Sequence, residues 1–317
     1  MSQQGAGLRV VPALAVGIDV GGTSTKAVVV DGDGEVLASS TVPTPGGVPG
    51  LLEAVTGRRD WARAVVGRER PDAQLRGTGV VVPGIVDEEA GVGVYSANLG
   101  WRDVPFARLL RDRLEEPVAF GHDVRAGALA ETRWGAHDEM SNVAFVALGT
   151  GIALGLVHGG LIVHGGGRAG EIGQVLVPEP GTGGHAPLER VASASAIARR
   201  YTERSGLDVE GSLDVVARAH RDTVATEVLD EAWDALGGVL AGVVALLGDV
   251  TIVVGGGLAE AGTLALDGIT AAVEAHLDAG AGFDVRVVPA RLGPLAGALG
   301  AALLGMERAD DDAAAPA

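Results

Sequence analysis

The chain has 317 residues, 47% of them hydrophobic, with 51 glycines, no cysteine and a formal charge of −17. That charge opposes nucleic-acid backbones and anionic membrane surfaces, which attract clustered cations. The missing cysteines exclude disulfides and thiolate metal sites, and 3% aromatic content argues against stacking platforms for bases or sugar polymers.

The length suits about two domains, and glycines lying between apolar runs suit an α/β protein with tight loops. Strands are predicted at Ala15–Asp19, Thr25–Asp31 and Val36–Thr41, a helix around Val48–Arg68, and a strand at Gly77–Val82 ending at Pro83-Gly84. An amphipathic helix over Val104–Leu114 and a short strand at Val118–Phe120 follow, and Asp123 opens a helix through Arg133 as N-cap or first-turn acid. Ser141–Ala147 and Ile152–His158 read as strands joined by Gly149-Thr150-Gly151. Beyond them lie helices at Ser193–Ser205, Leu213–Ala219 and Thr223–Leu247, strand Val250–Val254, a helix near Thr263–Leu277, strand Asp284–Val288 and a last helix, Pro294–Leu304. Leu236–Leu247 is too short to span a bilayer and reads as a core helix. Glu307–Ala317 reads as a disordered tail, and Met1–Leu14 lacks the pattern of a signal peptide, so a cytoplasmic location is expected.

The opening hairpin carries the most chemistry. Gly21 and Gly22 allow backbone N–H groups close to an anion, Thr23 and Thr25 offer hydroxyls, and Lys26, the only lysine, adds a cation. Asp19 cannot touch phosphate but suits the water shell of Mg²⁺. The same residues also make an ordinary β-hairpin turn. A second strand, Gly/Thr turn and strand at 143–158 repeats this logic and suggests a duplicated unit, each half offering one phosphate loop to an interdomain cleft. No P-loop spacing occurs. Gly255-Gly256-Gly257 follows a strand but lacks the dinucleotide spacing, because Gly262 falls two positions late; it would let an adenosine lie against backbone.

In order and spacing, Gly17–Thr23, Pro83-Gly84, Asn98-Leu99-Gly100-Trp101, Asp123 with Ala126 to Glu131, Leu148–Ile152, Gly170-Glu171-Ile172-Gly173, Leu188-Glu189 and Val253–Leu258 resemble the ROK (repressor, open reading frame, kinase) family of sugar kinases, in the actin, sugar-kinase and Hsp70 superfamily. The resemblance spans nearly the whole chain. It implies two ribonuclease-H-like α/β domains, residues 1–121 with 293–317 and residues 122–292, the larger supplying dimer contacts. It also implies ATP- and Mg²⁺-dependent phosphorylation of a hexose or N-acyl amino sugar, with Asp123 as general base. Asn98, Glu171 and Glu189 would bind sugar hydroxyls, Thr150 and Gly151 would form the second phosphate loop, and Gly256 and Gly257 would lie beside adenosine. Taken singly, Asn98 could close a turn and the glutamates could be solvated charges.

Three departures stand out. His122 replaces the family's usual Asn before the base, which should alter the sugar accepted. Gln174 replaces a zinc-binding His that also touches sugar, and Pro180, Thr182 and Pro187 occupy the zinc cysteine positions. A structural zinc is therefore not expected; Gln174 can still hydrogen-bond a sugar, and His185 reads as a loop residue. The chain also reaches its first hairpin too early to leave room for the winged-helix domain of ROK repressors. The alternatives are a ROK-like sensor without kinase activity, motivated by His122 and Gln174, and an ATPase acting on a protein, disfavoured by Glu171 and Glu189.

Overall fold

The computed structural model describes residues 13–135 and 141–314. The leader reading of the N-terminus lies almost wholly outside them, as do residues 315–317 of the expected tail. The chain divides into two compact units, one taking it up to Asp123 and again from Gly297, the other Val124–Ala296.

In the first unit β1 (Ala13–Val20) pairs antiparallel with β2 (Ser24–Asp31), and β2 with β3 (Val36–Pro43). Helix α1 (Gly47–Glu69) returns the chain to β4 (Gln74–Val82), parallel to β1. A small sheet of β5 (Ile85–Asp87), β6 (Val92–Ser96) and β7 (Trp101–Val104) precedes α2 (Phe106–Leu114) and β8 (Ala119–His122), giving the main sheet the order β3-β2-β1-β4-β8.

Helix α3 (Asp123–Trp134) begins on the last residue of that unit. The second unit then runs through β9 (Val143–Leu148), β10 (Ile152–His158), β11 (Leu161–Ile162) and a ribbon of β12 (Leu176–Pro178) and β13 (His185–Pro187). Helices α4 (Leu188–Ala192), α5 (Ala194–Ser205), α6 (Ser212–Arg218) and α7 (Thr223–Leu247) follow, then β14 (Thr251–Gly255), α8 (Thr263–Ala275) and β15 (Arg286–Pro289). Its sheet is ordered β11-β10-β9-β14-β15, with the antiparallel hairpin first and parallel strands after, as in the first unit. Each unit is thus ribonuclease-H-like, the architecture of the actin-like ATPase fold.

Alternation along β1 explains the packing. Leu14, Val16, Ile18 and Val20 join Leu51, Val55, Ala62 and Val66 of α1 in one core. On the opposite face, a side chain at Gly17 would lie 1.8 Å from the Ala298 carbonyl, and one at Gly79 1.7 Å from that of Ala301. Glycine there lets the last helix, α9 (Ala296–Ala314), lie flush on the sheet. With both faces covered, β1, β2 and β4 are buried over consecutive residues instead of alternating.

The second core gathers Leu148, Ile197, Tyr201, Leu229, Leu236, Leu240, Ile252 and Ile269, each large side chain contributing roughly 1.5–3 kcal/mol by burial. Helix α7 carries much of it and starts on Asp222, whose carboxylate accepts from the N–H groups of Val224 and Ala225. The apolar stretch Leu236–Leu247 is its C-terminal half, buried at Leu236, Leu240, Ala241 and Val244 but with Leu246 exposed, and no helix among the described residues is long and apolar enough to cross a membrane.

Three expectations change. Val104 ends a strand, and the helix expected there starts at Phe106, because the Pro105 ring fixes the backbone for a helix start, not its interior. The ribbon β12–β13 lies where no strands are expected. The predicted tail is helical to Ala314, its alanines extending α9 and Arg308 pairing with Asp312 one turn on.

Candidate active site

In the first unit the β1–β2 turn is closed by Gly21 N–H donating to the Ser24 carbonyl at 3.0 Å. Thr44, just past β3, donates from its hydroxyl to the Gly21 carbonyl at 2.8 Å and from its N–H to Thr23 at 3.0 Å. The Thr25 hydroxyl is buried and shares a 3.0 Å hydrogen bond with Thr44, so it braces the turn, whereas Gly22 and Thr23 are exposed. Asn98 comes to the same place: a side chain on Gly22 would lie 3.8 Å from its Cβ.

Asp19 and Lys26 are cross-strand partners on β1 and β2. Burial pushes the Asp19 carboxyl up to about 6, with Lys26 pulling the other way. Gly297 leaves room for this carboxylate: a side chain there would meet Asp19 Oδ2 at 2.9 Å and the Asp123 carbonyl at 3.6 Å. A desolvated carboxylate beside an open glycine turn fits a hydrated divalent cation.

Asp123 opens α3 with its side chain 25% exposed. His122 is 5% exposed, and its Nδ1 lies 3.3 Å from Asp123 Oδ1, while its backbone N–H donates to Glu88 Oε1 at 3.2 Å. His122 is thus a buried neighbour of Asp123.

In the second unit the Gly149–Gly151 turn is fastened to the start of α5. Ala194 N–H donates to the Gly149 carbonyl at 2.9 Å, and the Ser195 hydroxyl to that of Thr150 at 2.7 Å. A cavity of about 640 Å³ opens beside Gly149, Thr150, Ser195, Glu210, Ser212 and Gly257. Gly256 has φ +83°, and a side chain on it would strike the Leu148 carbonyl at 2.4 Å; one on Gly257 would meet open space.

Glu171, Gln174 and Glu189 gather next to this turn. Gln174 Nε2 donates to Glu189 Oε1 at 2.9 Å, and side chains on Gly151 or Gly173 would come within 3.1 and 3.3 Å of Glu189 Oε2. Burial raises the Glu171 carboxyl above its ordinary value; Arg125 on α3 opposes the shift and Glu189 adds to it. The segment 179–184 is held by its own polar groups: Thr182 Oγ1 donates to Glu179 and accepts from Gly184 N–H at 3.1 Å. Pro180 and Pro187 offer no side-chain donor and the Gln174 amide is engaged with Glu189, so the residues at the family's zinc positions do not fit that ion. Among the described residues no group of three or more His, Asp or Glu could hold a metal. His185 lies exposed on β13.

Sequence reasoning missed Thr44, Glu88, Arg125, Ser195, Glu210 and Gly297. Only Arg125 carried a local signal, a cation in the first turn of a helix, where the dipole disfavours it.

Two ribonuclease-H-like units, each presenting a glycine turn after its first strand, with a helix-opening Asp between them in the chain, define a protein of the actin-like phosphotransferase class. The ROK family model matches residues 15–308, and the chain belongs to that family. It is 34% identical to a glucokinase of Halalkalibacterium halodurans, covering 82% of this chain and 85% of that one. Among solved structures it is similar to the ROK hexokinase of Thermus thermophilus (TM-score 0.79, 30% identity, 94% and 99% of the two chains). A second is the ROK glucokinase of Streptomyces griseus in complex with glucose and AMPPNP (TM-score 0.74, 29% identity, 93% and 99%).

Proposed function

We propose that this chain transfers the γ-phosphoryl group of ATP to a hydroxyl of a hexose or N-acyl amino sugar, with Asp123 as general base. Sugar-kinase activity as such follows from family membership and from glucokinase relatives at 30–34% identity over most of the chain. The observation that carries the finer reading is Asp123 itself, a partly exposed carboxylate at the first residue of a helix with His122 Nδ1 3.3 Å from its Oδ1.

The sugar hydroxyl gives its proton to Asp123 as its oxygen bonds to the γ-phosphorus; the bond to the β–γ bridging oxygen breaks and ADP leaves with those electrons. Glu171 and Glu189 accept hydrogen bonds from sugar hydroxyls, and Asn98 orients the sugar from beside the first turn. Gln174 acts through Glu189, whose Oε1 it holds. Backbone N–H groups of Gly22, Thr23, Thr150 and Gly151 receive the phosphates, Gly21 shapes the first turn through its bond to Ser24, and the cavity beside Gly257 takes the adenosine. Asp19 is the residue to hold hydrated Mg²⁺, which when bound neutralises phosphate charge, and Lys26 balances Asp19. The same reading takes the protein as a cytoplasmic homodimer.

The test is sugar-dependent ADP release with Mg-ATP across hexoses and amino sugars, with Asp123→Asn as control. Turnover that is sugar-dependent and lost in the variant supports the reading; sugar binding by calorimetry without turnover would point to a non-catalytic sensor.

A further inference from the structure

Arg125 is among the largest fully buried side chains, 1% exposed, in the first turn of α3 two residues after Asp123. Both facts count against a cation: taking a charge out of water costs several kcal/mol, and the N-terminal end of a helix repels positive charge. Its Nη1 donates to the Ala169 carbonyl at 3.3 Å and the Gly167 carbonyl at 3.5 Å. These neutral acceptors sit in the segment leading into Glu171. That segment is pressed on β10: Gly170 has φ +90°, a side chain there would overlap the Leu154 carbonyl at 1.7 Å, and Leu154 N–H donates to Gly170 at 2.8 Å.

We propose that Arg125 is a positioning residue for the sugar site: its guanidinium holds, through Gly167 and Ala169, the segment that presents Glu171, and supplies the positive charge this carboxylate faces. The inference rests on the kinase reading above. Glu171 sits partly buried with Glu189 from α4 as a like-charged neighbour, and both circumstances favour protonation; Arg125 from α3 opposes them. An ionised Glu171 accepts from sugar hydroxyls on both oxygens, whereas a protonated one spends an oxygen on its own proton. A buried cation is needed here because an apolar side chain of the same length would fill the space and leave two carboxylates facing each other.

The test compares Arg125→Met, Arg125→Gln, Arg125→Lys, Glu171→Gln and Arg125→Gln/Glu171→Gln, each checked by thermal melting. In Arg125→Met and Arg125→Gln the sugar KM should rise roughly 10- to 100-fold, with kcat less affected, and the acidic limb of kcat/KM should move to higher pH. Arg125→Lys should keep the limb near its original position, and Glu171→Gln should abolish the movement in the double variant. If Arg125→Met does not fold, Arg125→Gln, which keeps a donor and removes the charge, carries the comparison. An unmoved limb, or the same movement with Glu171 already replaced, overturns the proposal. Should the wild type lack sugar-dependent turnover, the kinase reading fails first. The Glu171 carboxyl is then titrated by carbon NMR, with its resonance assigned from Glu171→Gln; a midpoint that does not rise in Arg125→Gln overturns the positioning role independently.

Discussion

His122 Nδ1 lies 3.3 Å from Asp123 Oδ1, with the imidazole buried and the carboxylate partly open to solvent. The imidazole thus touches one oxygen of the proposed base. Asp123→Asn preserves shape and hydrogen-bonding capacity but removes basicity, so melting should change little while kcat falls about 10²- to 10⁴-fold. Retained turnover in a stopped assay would remove Asp123 from the role.

His122→Ala keeps the base but frees its orientation. A kcat loss of roughly tenfold, smaller than that of Asp123→Asn, is expected from loss of this one polar contact to the carboxyl. Equal losses in the two variants would mean that His122 does more than orient.

Gln174→Ala releases Glu189 Oε1 from its 2.9 Å donor. Because both side chains are accessible to water, stability should change by no more than about 0.5 kcal/mol, while sugar KM rises several-fold. An unchanged KM across the sugar panel would show that the pair has no part in recognition.

Gly256 and Gly257 separate folding from binding. Gly256→Ala forces a side chain at φ +83° against the Leu148 carbonyl and should cost at least about 1–3 kcal/mol. Gly257→Ala meets open space, so it should melt like the wild type yet bind nucleotide more weakly, since its methyl enters the cavity. Calorimetric melting and nucleotide titration of the two variants check both halves.

Asp19 predicts a pH-dependent trade. Its folded pKa of about 6 stands above the ordinary 3.8, so the native state binds this proton more tightly than the unfolded chain. Its contribution to stability is full below about pH 3.8 and is lost as pH rises through about 6. Asp19→Asn should therefore be more stable at neutral pH by up to about 3 kcal/mol, with the advantage vanishing below about pH 4. Its Mg-ATP turnover should fall. A variant less stable at pH 7 and no closer to wild type in acid would contradict this.

The two hairpins were legible because they are local: apolar alternation sets β1, β2, β9 and β10, and Gly/Thr runs set their turns. The resemblance of spaced motifs identified the family. What escaped the sequence depends on residues far apart along the chain. Thr44 braces Gly21 from 23 positions away, Ser195 fastens Thr150 from 45, and Glu131 accepts from the Arg291 N–H across 160. The strands β5, β6 and β7 are short and hold their shape by pairing with each other, so their own residues carry little periodicity. The donor of Gln174 could not be known to be engaged with Glu189, because that bond depends on how α4 follows the ribbon.

Helix α9 covers the glycine face of the first sheet, yet it follows the whole second unit in the chain. A ribosome adding roughly 5–20 residues per second must complete the entire second unit before Ala298 and Ala301 emerge to meet Gly17 and Gly79. For on the order of ten seconds, while the second unit is being made, the nascent first sheet is bare on one side. The half that comes first along the chain is thus the half that finishes folding second, and chains cut short before residue 297 would have that face permanently uncovered.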